Sequence, residues 1–214
     1  MFDSATLFAY IAAATALVLI PGPGTAWIVA QTLNGGSRRG AQAAIGLETA
    51  TLIHALAAGL GLSAVLATSA MAFDLLKYAG AAYLIWLGIK NWREPATAPP
   101  PTSGQEPAQP VAGSARSLYL RSVITGVLNP KVALFFLAFL PQFVAPERGW
   151  VPLQFLILGV LLSFIGLAHS LALSYLVGRF GRRASHPRFA RWKQRLTGSV
   201  FIALGLRLAV QQRN

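Results

Sequence analysis

Apolar runs of about 20 residues, each long enough to cross the hydrocarbon core of a bilayer, dominate this sequence. They lie approximately at Ala5–Val29, Ala41–Ala67, Met71–Trp92, Leu118–Val144, Val151–Gly178 and Leu196–Val210. No other feature restricts the fold as tightly. In lipid every backbone polar group must be satisfied internally, which leaves helices and closed barrels, and runs of this length are those of helices. The 214-residue chain is 55% hydrophobic and 11% charged, against about 25% charged in soluble domains, and its mean hydropathy is +0.56. The expected fold is therefore an all-α integral membrane protein of six transmembrane helices. The first run has no basic residue ahead of it, carries Asp3 and outruns a signal peptide's core of roughly 7–15 residues, so it is read as a retained span. The net charge of +12 would suit nucleic acid only as a basic face on a soluble module. Here the basic residues sit between apolar runs, so nucleic acid is not an expected partner and membrane lipid is. The absence of cysteine removes disulfides, thiolate metal sites and cysteine nucleophiles, and no metal or cofactor is expected.

Two of these runs are broken. Ile20-Pro21-Gly22-Pro23-Gly24 interrupts the first and Asn129-Pro130-Lys131 the fourth. Each proline removes a backbone donor and its ring clashes with the preceding turn. Inside a membrane such gaps are tolerated where protein or a watery cavity satisfies the freed groups. Paired breaks at corresponding places in two halves point to a transporter's binding site.

The segment from Arg93 to Ser117 is rich in Pro, Ala, Ser and Gln and cannot bury a core. It divides the chain into a three-helix unit at 1–92, a flexible linker at 93–117 and a second three-helix unit at 118–214. Most of the 18 Lys and Arg fall on one side, at Arg38 and Arg39, from Lys90 to Arg121, and from Arg179 to Arg195. The positive-inside rule makes that side cytoplasmic and puts both termini outside; the last cluster reads as an anchor on anionic lipid.

Three spans per half would orient the halves oppositely, and residues correspond between them in order. Pro23 and Trp27 match Pro130 and Leu134; Ala44, Glu48, Thr51, Ala55 and Gly59 match Gly159, Ser163, Gly166, Ser170 and Ser174; His54 matches His169; Lys77, Gly80 and Tyr83 match Arg195, Gly198 and Phe201. The expectation is two inverted three-helix repeats with the first and fourth helices interrupted. The stripes of small residues also serve close helix packing, which leaves Glu48 unexplained. An acid at the centre of a span costs on the order of 2.5–3.5 kcal/mol and is a functional candidate by default.

The Pro-Gly-Pro segment, Asn129-Pro130-Lys131 running into Ala133-Leu134-Phe135-Phe136-Leu137-Ala138-Phe139-Leu140-Pro141-Gln142-Phe143, and Gly80-Ala81-Ala82-Tyr83-Leu84 before Leu87-Gly88 together resemble the LysE/RhtB family of amino-acid exporters. The resemblance spans nearly the whole chain outside the linker. It implies an inner-membrane exporter of small amino acids, not an enzyme, driven by proton exchange as an antiporter. The Leu-Phe-Phe continuation is similar to the threonine/homoserine/leucine branch; Glu48 departs from the small residue expected there, and an exporter of basic amino acids is the alternative within the family.

An amino acid is a zwitterion, so its site must offer positive potential and an acceptor. Pro21, Gly22, Pro23 and Gly24 at one break, and Asn129, Pro130 and Lys131 at the other, are the candidate substrate-binding residues. Restarting helices present N–H groups to a carboxylate, and unwound carbonyls from Ile20 to Gly22 and at Leu128 and Asn129 face an ammonium. Lys131 adds charge, snorkels or pairs with Glu48; Asn129 caps the restarted helix or touches substrate. Glu48 is the leading proton carrier, alternatively the partner of a cationic group, with His54 and His169 as relay candidates. Thr51, Ser163 and Ser170 are candidates to line the pathway; Trp27, Tyr83 and Trp86 line it or are core or interfacial aromatics. Two other classes stay open: an intramembrane enzyme using Glu48, His54 and His169, although no metal-binding spacing occurs, and an accessory membrane subunit. Homo-oligomerisation is open.

Overall fold

A computed structural model describes residues 2–68 and 114–180, with scattered positions between 71 and 93 and between 199 and 206. The third and sixth apolar runs as continuous segments, the linker before Ser114, the basic run beyond Phe180 and the correspondence of Lys77, Gly80 and Tyr83 with Arg195, Gly198 and Phe201 fall outside the described residues.

Helix α1 (Ser4–Leu19) starts at Asp3, whose carboxylate accepts from the Thr6 N–H at 2.8 Å and the Thr6 hydroxyl at 2.9 Å. Such a cap satisfies donors that the first turn leaves orphaned. The Thr6 N–H is the main reason why the Asp3 carboxyl lies below its ordinary range. A depressed acid stabilises the fold above its ordinary pKa and stops doing so as pH falls through the folded value. Acid is therefore expected to fray the first turn of α1. Asp3→Asn, which keeps an acceptor oxygen, should abolish that acid dependence, read as amide exchange at Thr6.

The chain leaves α1 at Ile20 and re-enters helix at Pro23, where a missing N–H is harmless. Helix α2 (Pro23–Thr68) is a hairpin, because Gly35 and Gly36 are non-helical within it. Gly36 sits at φ +74°, ψ 179°, a conformation open essentially to glycine alone. The arms, 23–34 and 37–68, run antiparallel: Thr32 faces Gly40, Ile28 packs with Ala44 and Leu47, and Leu47 lies 3.5 Å from where a Cβ of Gly24 would stand. At 1.5 Å per residue the second arm as far as Gly61 is about 37 Å long, enough to cross a bilayer by itself.

The fourth run is split as expected. Helix α3 (Ala115–Val127) stops at the break, and α4 (Pro130–Leu134) continues through a π turn (Phe135–Phe139) into a 3-10 turn (Leu140–Phe143), bent by 47° from α3. Helix α5 (Val151–Phe180) is unbroken over 30 residues. By length and composition Val151–Phe180 can span a membrane, as can the stretch Pro23–Gly61 that contains the reversal, and the bent pair passes the same test as a third span. Among the described residues there is no strand. The described part of the chain is all-helical.

The two small-residue stripes meet. Along the second arm of α2, Gly40, Glu48, Ala55 and Gly59 stand against Ser174, Gly166, Gly159 and Phe155 of α5, so one series climbs as the other descends and the helices are antiparallel. The same arm runs parallel to α3, with Gly46 against Ser122 and Ala50 against Gly126. In lipid this packing, not a hydrophobic driving force, holds helices together. A separate apolar core joins α1 through Tyr10, Ala13, Ala14 and Leu17 to Phe135, Phe136 and Phe139 of the π turn and to Phe155, Leu158 and Leu162 of α5. The Tyr10 hydroxyl within it donates to Leu158 O at 2.6 Å. At the end of the bundle near Asp3, fully buried Gln154 accepts from Ala145 N and donates to Ala145 O and Gly149 O, tying down the turn that carries Arg148.

Candidate functional site

The packing registers put both breaks at one depth. Gly24 lies level with Leu47, Gly126 packs on Leu47 and Ala50, and Gly166 packs on Glu48. Around this level opens a cavity of ≈ 80 Å³ bordered by Gly24 and Thr25 of the first break, Asn129 and Lys131 of the second, and Glu48 of the second α2 arm. A buried water needs about 10–15 Å³ on this measure, so the space takes several waters or the polar groups of a small solute. Thr51, His169 and Ser170 complete its polar wall, and Leu17, Val18, Ile28, Val132 and Leu162 its apolar one.

The breaks differ in how their freed groups are satisfied. Leu17 O would accept from residue 21 in a continuous helix, but Pro21 has no N–H, and Ile20 O lies beyond the helix end. Both carbonyls accept from the Lys131 ammonium, at 3.0 and 2.8 Å. Among the described residues the N–H groups of Gly24 and Thr25 have no partner; they stand at the positive end of α2, on the cavity wall. The second break is closed on itself: the Asn129 side chain accepts from Lys131 N–H at 3.1 Å, and its carbonyl accepts from Val132 and Ala133. The expectation that both restarting helices present N–H groups is thus met at the first break and not at the second. The Asn129 amide nitrogen lies 3.6 Å from the position of a Gly24 Cβ, so the residue caps its helix and reaches the first break too.

Glu48 lies with Gly166 directly opposite; a Cβ there would be 2.5 Å from Oε1. The hydroxyls of Ser163 and Thr51 stand beside its carboxyl group, and that of Thr51 donates to Leu47 O at 3.3 Å. Ser163 therefore meets the site through Glu48 and not through the cavity wall. Of the roles open to Lys131, snorkelling and pairing with Glu48 do not describe its position: among the described residues the partners of its ammonium are the two α1 carbonyls.

The remaining candidates separate. Pro21, Gly22, Pro23 and Pro130 shape the breaks without bordering the cavity, Gly22 by leaving room for the Lys131 chain. His54 stands outside the cavity wall, stacked on Phe136 with ring centroids 5.9 Å apart and with Nε2 3.4 Å from Gly126 O. His169 borders the cavity, so the matched histidines are not equivalent in place. Trp27 does not line the space; its indole donates to Ser122 Oγ at 2.8 Å, fastening α2 to α3. Tyr83 falls outside the described residues. Among the described residues no group of three His, Asp or Glu side chains could hold a metal ion. What sequence reasoning missed was the cap on α1. The signal was there: Pro21 cannot serve Leu17 O, and a lysine left inside an apolar run was the donor in need of an acceptor.

The family model described as LysE type translocator matches residues 15–212. A homoserine/homoserine lactone efflux protein of Salmonella typhi is 34% identical, covering 94% of this chain and 95% of the relative. A leucine efflux protein of Klebsiella pneumoniae is 29% identical, covering 95% of this chain and 94% of its own, and a Vibrio cholerae membrane protein is 35% identical at 94% and 95% coverage. No solved structure matches. A translocator model along nearly the whole length, and relatives named for efflux, place this chain among transporters and not enzymes: it is a membrane protein of the LysE translocator family.

Proposed function

We propose that the chain exports small neutral amino acids of the homoserine and leucine class in exchange for protons. The observation that carries the reading is the one cavity bordered by both helix breaks and by Glu48. The substrate carboxylate is received by the Gly24 and Thr25 N–H groups, where the α2 dipole is positive, with the Asn129 amide beside them. Its ammonium is received by Glu48, and its side chain by Leu17, Val18, Ile28 and Leu162. A carboxylate that holds either a proton or an ammonium makes the two ligands compete, and competition at one group is sufficient for exchange. Protonation from outside releases the amino acid; loss of that proton to the cytoplasm admits the next. Relatives named for homoserine and leucine efflux support this substrate class over basic amino acids.

The proposed architecture is six spans in the inner membrane, in two inverted repeats at 1–92 and 118–214 joined by a cytoplasmic linker at 93–117, with both termini outside. The antiparallel register of α5 and the parallel register of α3 on α2 support it, since alternating spans two, four and five would have these directions. So does the pairing of Asp3 with Arg148 at 4.0 Å, which gathers the first residues and the turn before α5 at one end, away from Arg38 and Arg39 beside the α2 turn.

Proteoliposomes loaded with radiolabelled homoserine or leucine test the function. Efflux should be accelerated by an acidic exterior and slowed when a protonophore collapses the gradient. Rates equal to those of protein-free liposomes across an amino-acid panel would refute the proposal.

A further inference from the structure

The carbonyl pair at the end of α1 is built to hold an ammonium and already holds one. Leu17 O has lost its i+4 donor and keeps only the Ile20 N–H at 3.3 Å, among the described residues Ile20 O has no backbone donor, and Lys131 Nζ stands 3.0 and 2.8 Å from them. The lysine reaches them past Gly22, with Cδ, Cε and Nζ at 3.6, 3.5 and 3.5 Å from where a Cβ would stand, so a backbone gap has been kept open for this side chain. Leu17 and Lys131 both border the cavity that Glu48 borders. Two groups suited to a cation therefore flank one space: the Glu48 carboxyl, and a carbonyl pair occupied from within by a primary alkylammonium.

We propose that Lys131 is the specificity-determining residue of this site: its tethered ammonium fills the second cation subsite and thereby excludes amino acids that carry an ammonium on the side chain. The proposal rests on the function proposed above for its assignment of the cavity to substrate. A diamino acid entering the site must either expel Nζ from the carbonyls or leave its own second ammonium unpaired beside a fixed positive charge. A neutral side chain meets neither penalty, since Leu17, Val18, Ile28 and Leu162 offer it apolar contact. Without Nζ, Ile20 O is left without a donor and Leu17 O keeps only the Ile20 N–H at 3.3 Å, and an acceptor in that condition favours an incoming donor. If its own lysine fills the subsite on the order of nine-tenths of the time, apparent affinity for a competitor falls about tenfold.

Two arms test this on the full chain. In proteoliposomes, wild-type protein is expected to discriminate against 2,4-diaminobutyrate, ornithine and lysine. Lys131→Met should improve the best of the three at least about tenfold relative to a neutral amino acid, the scale set by that self-occupancy, while Lys131→Arg, which keeps a cation there, should not. In the second arm, Lys131→Ala protein in native membranes is heated with and without butylammonium, which supplies the missing group untethered. The melting temperature of the variant should rise and that of wild type should not, and a poorly folded variant recovered by butylammonium counts in favour. Absence of that rescue overturns the subsite. Rescue without any gain for diamino acids overturns the specificity role, as does wild-type protein that moves lysine as well as leucine. Wild-type protein that moves no amino acid refutes the proposed function instead, and the melting arm still decides whether the carbonyl pair accepts an ammonium.

Discussion

Glu48→Gln protein is expected to keep its fold and lose proton-driven export. Glutamine has nearly the same shape, keeps polar atoms beside Ser163 and Thr51, and fits opposite Gly166, so the packing of α2 on α5 has no reason to change. What disappears is the charge. Removing one partner of a buried, hydrogen-bonded charge pair costs about 2–5 kcal/mol in binding. At 1.4 kcal/mol per tenfold that is on the order of 30-fold or more in affinity for a substrate ammonium. The permanently neutral side chain also mimics the protonated carboxyl, so substrate binding should no longer vary with pH. The titratable groups sharing the cavity are Lys131 on α4 and His169 on α5; α1 contributes Leu17 and Val18 and no titratable group. Binding measured across pH on wild type and variant separates them. If Glu48→Gln binds as tightly as wild type, or keeps the same pH dependence, Glu48 is not the coupling group and His169 becomes the next to replace.

Much of this arrangement is legible in residue order because membrane helices obey few rules. The breaks could be located from proline chemistry alone, and the stripes from Gly59 to Ala44 and from Gly159 to Ser174 foretold which faces are buried. The partners across space were not legible. Trp27 could be read as a pathway residue or as a core or interfacial aromatic, and residue order does not name the acceptor its indole N–H needs, which Ser122 on another helix supplies. His54 and His169 match in sequence, but the Phe135–Phe139 π turn follows one break and not the other, and Phe136 from that turn covers His54. A π turn shifts the hydrogen-bond register by one residue, so side-chain directions beyond Pro130 depart from those beyond Pro23. The doubling back between the first two runs was expected, with Arg38 and Arg39 beside it, but its seat was not legible: the chain stays helical up to Gly35 and Gly36, and the reversal resides in one positive φ.

Gly159→Ala should destabilise the protein, although the same change on an exposed helix face stabilises by up to about 1 kcal/mol. The sign is the test. A Cβ at Gly159 would strike the Ala55 methyl and lie 3.4 Å from the Phe136 ring, so α5 has to move off α2 or Phe136 has to give way. Overpacking of this kind costs about 1–3 kcal/mol. The displacement also reaches the site, because Gly166 of the same stripe holds the Glu48 carboxyl against α5. Gly61, with open space around its would-be Cβ, is the control, and Gly61→Ala should be neutral or stabilising. The reciprocal swap decides the mechanism. Ala55→Gly alone removes a methyl and raises backbone freedom, and should destabilise; combined with Gly159→Ala it moves the methyl from one helix to the other at the same contact. The double variant should recover most of the melting temperature, with a coupling of about 0.5–3 kcal/mol between the two sites, and recover transport with it. Strict additivity would mean that Ala55 and Gly159 do not touch, and the antiparallel register that brings Glu48 level with both breaks would fall with that contact.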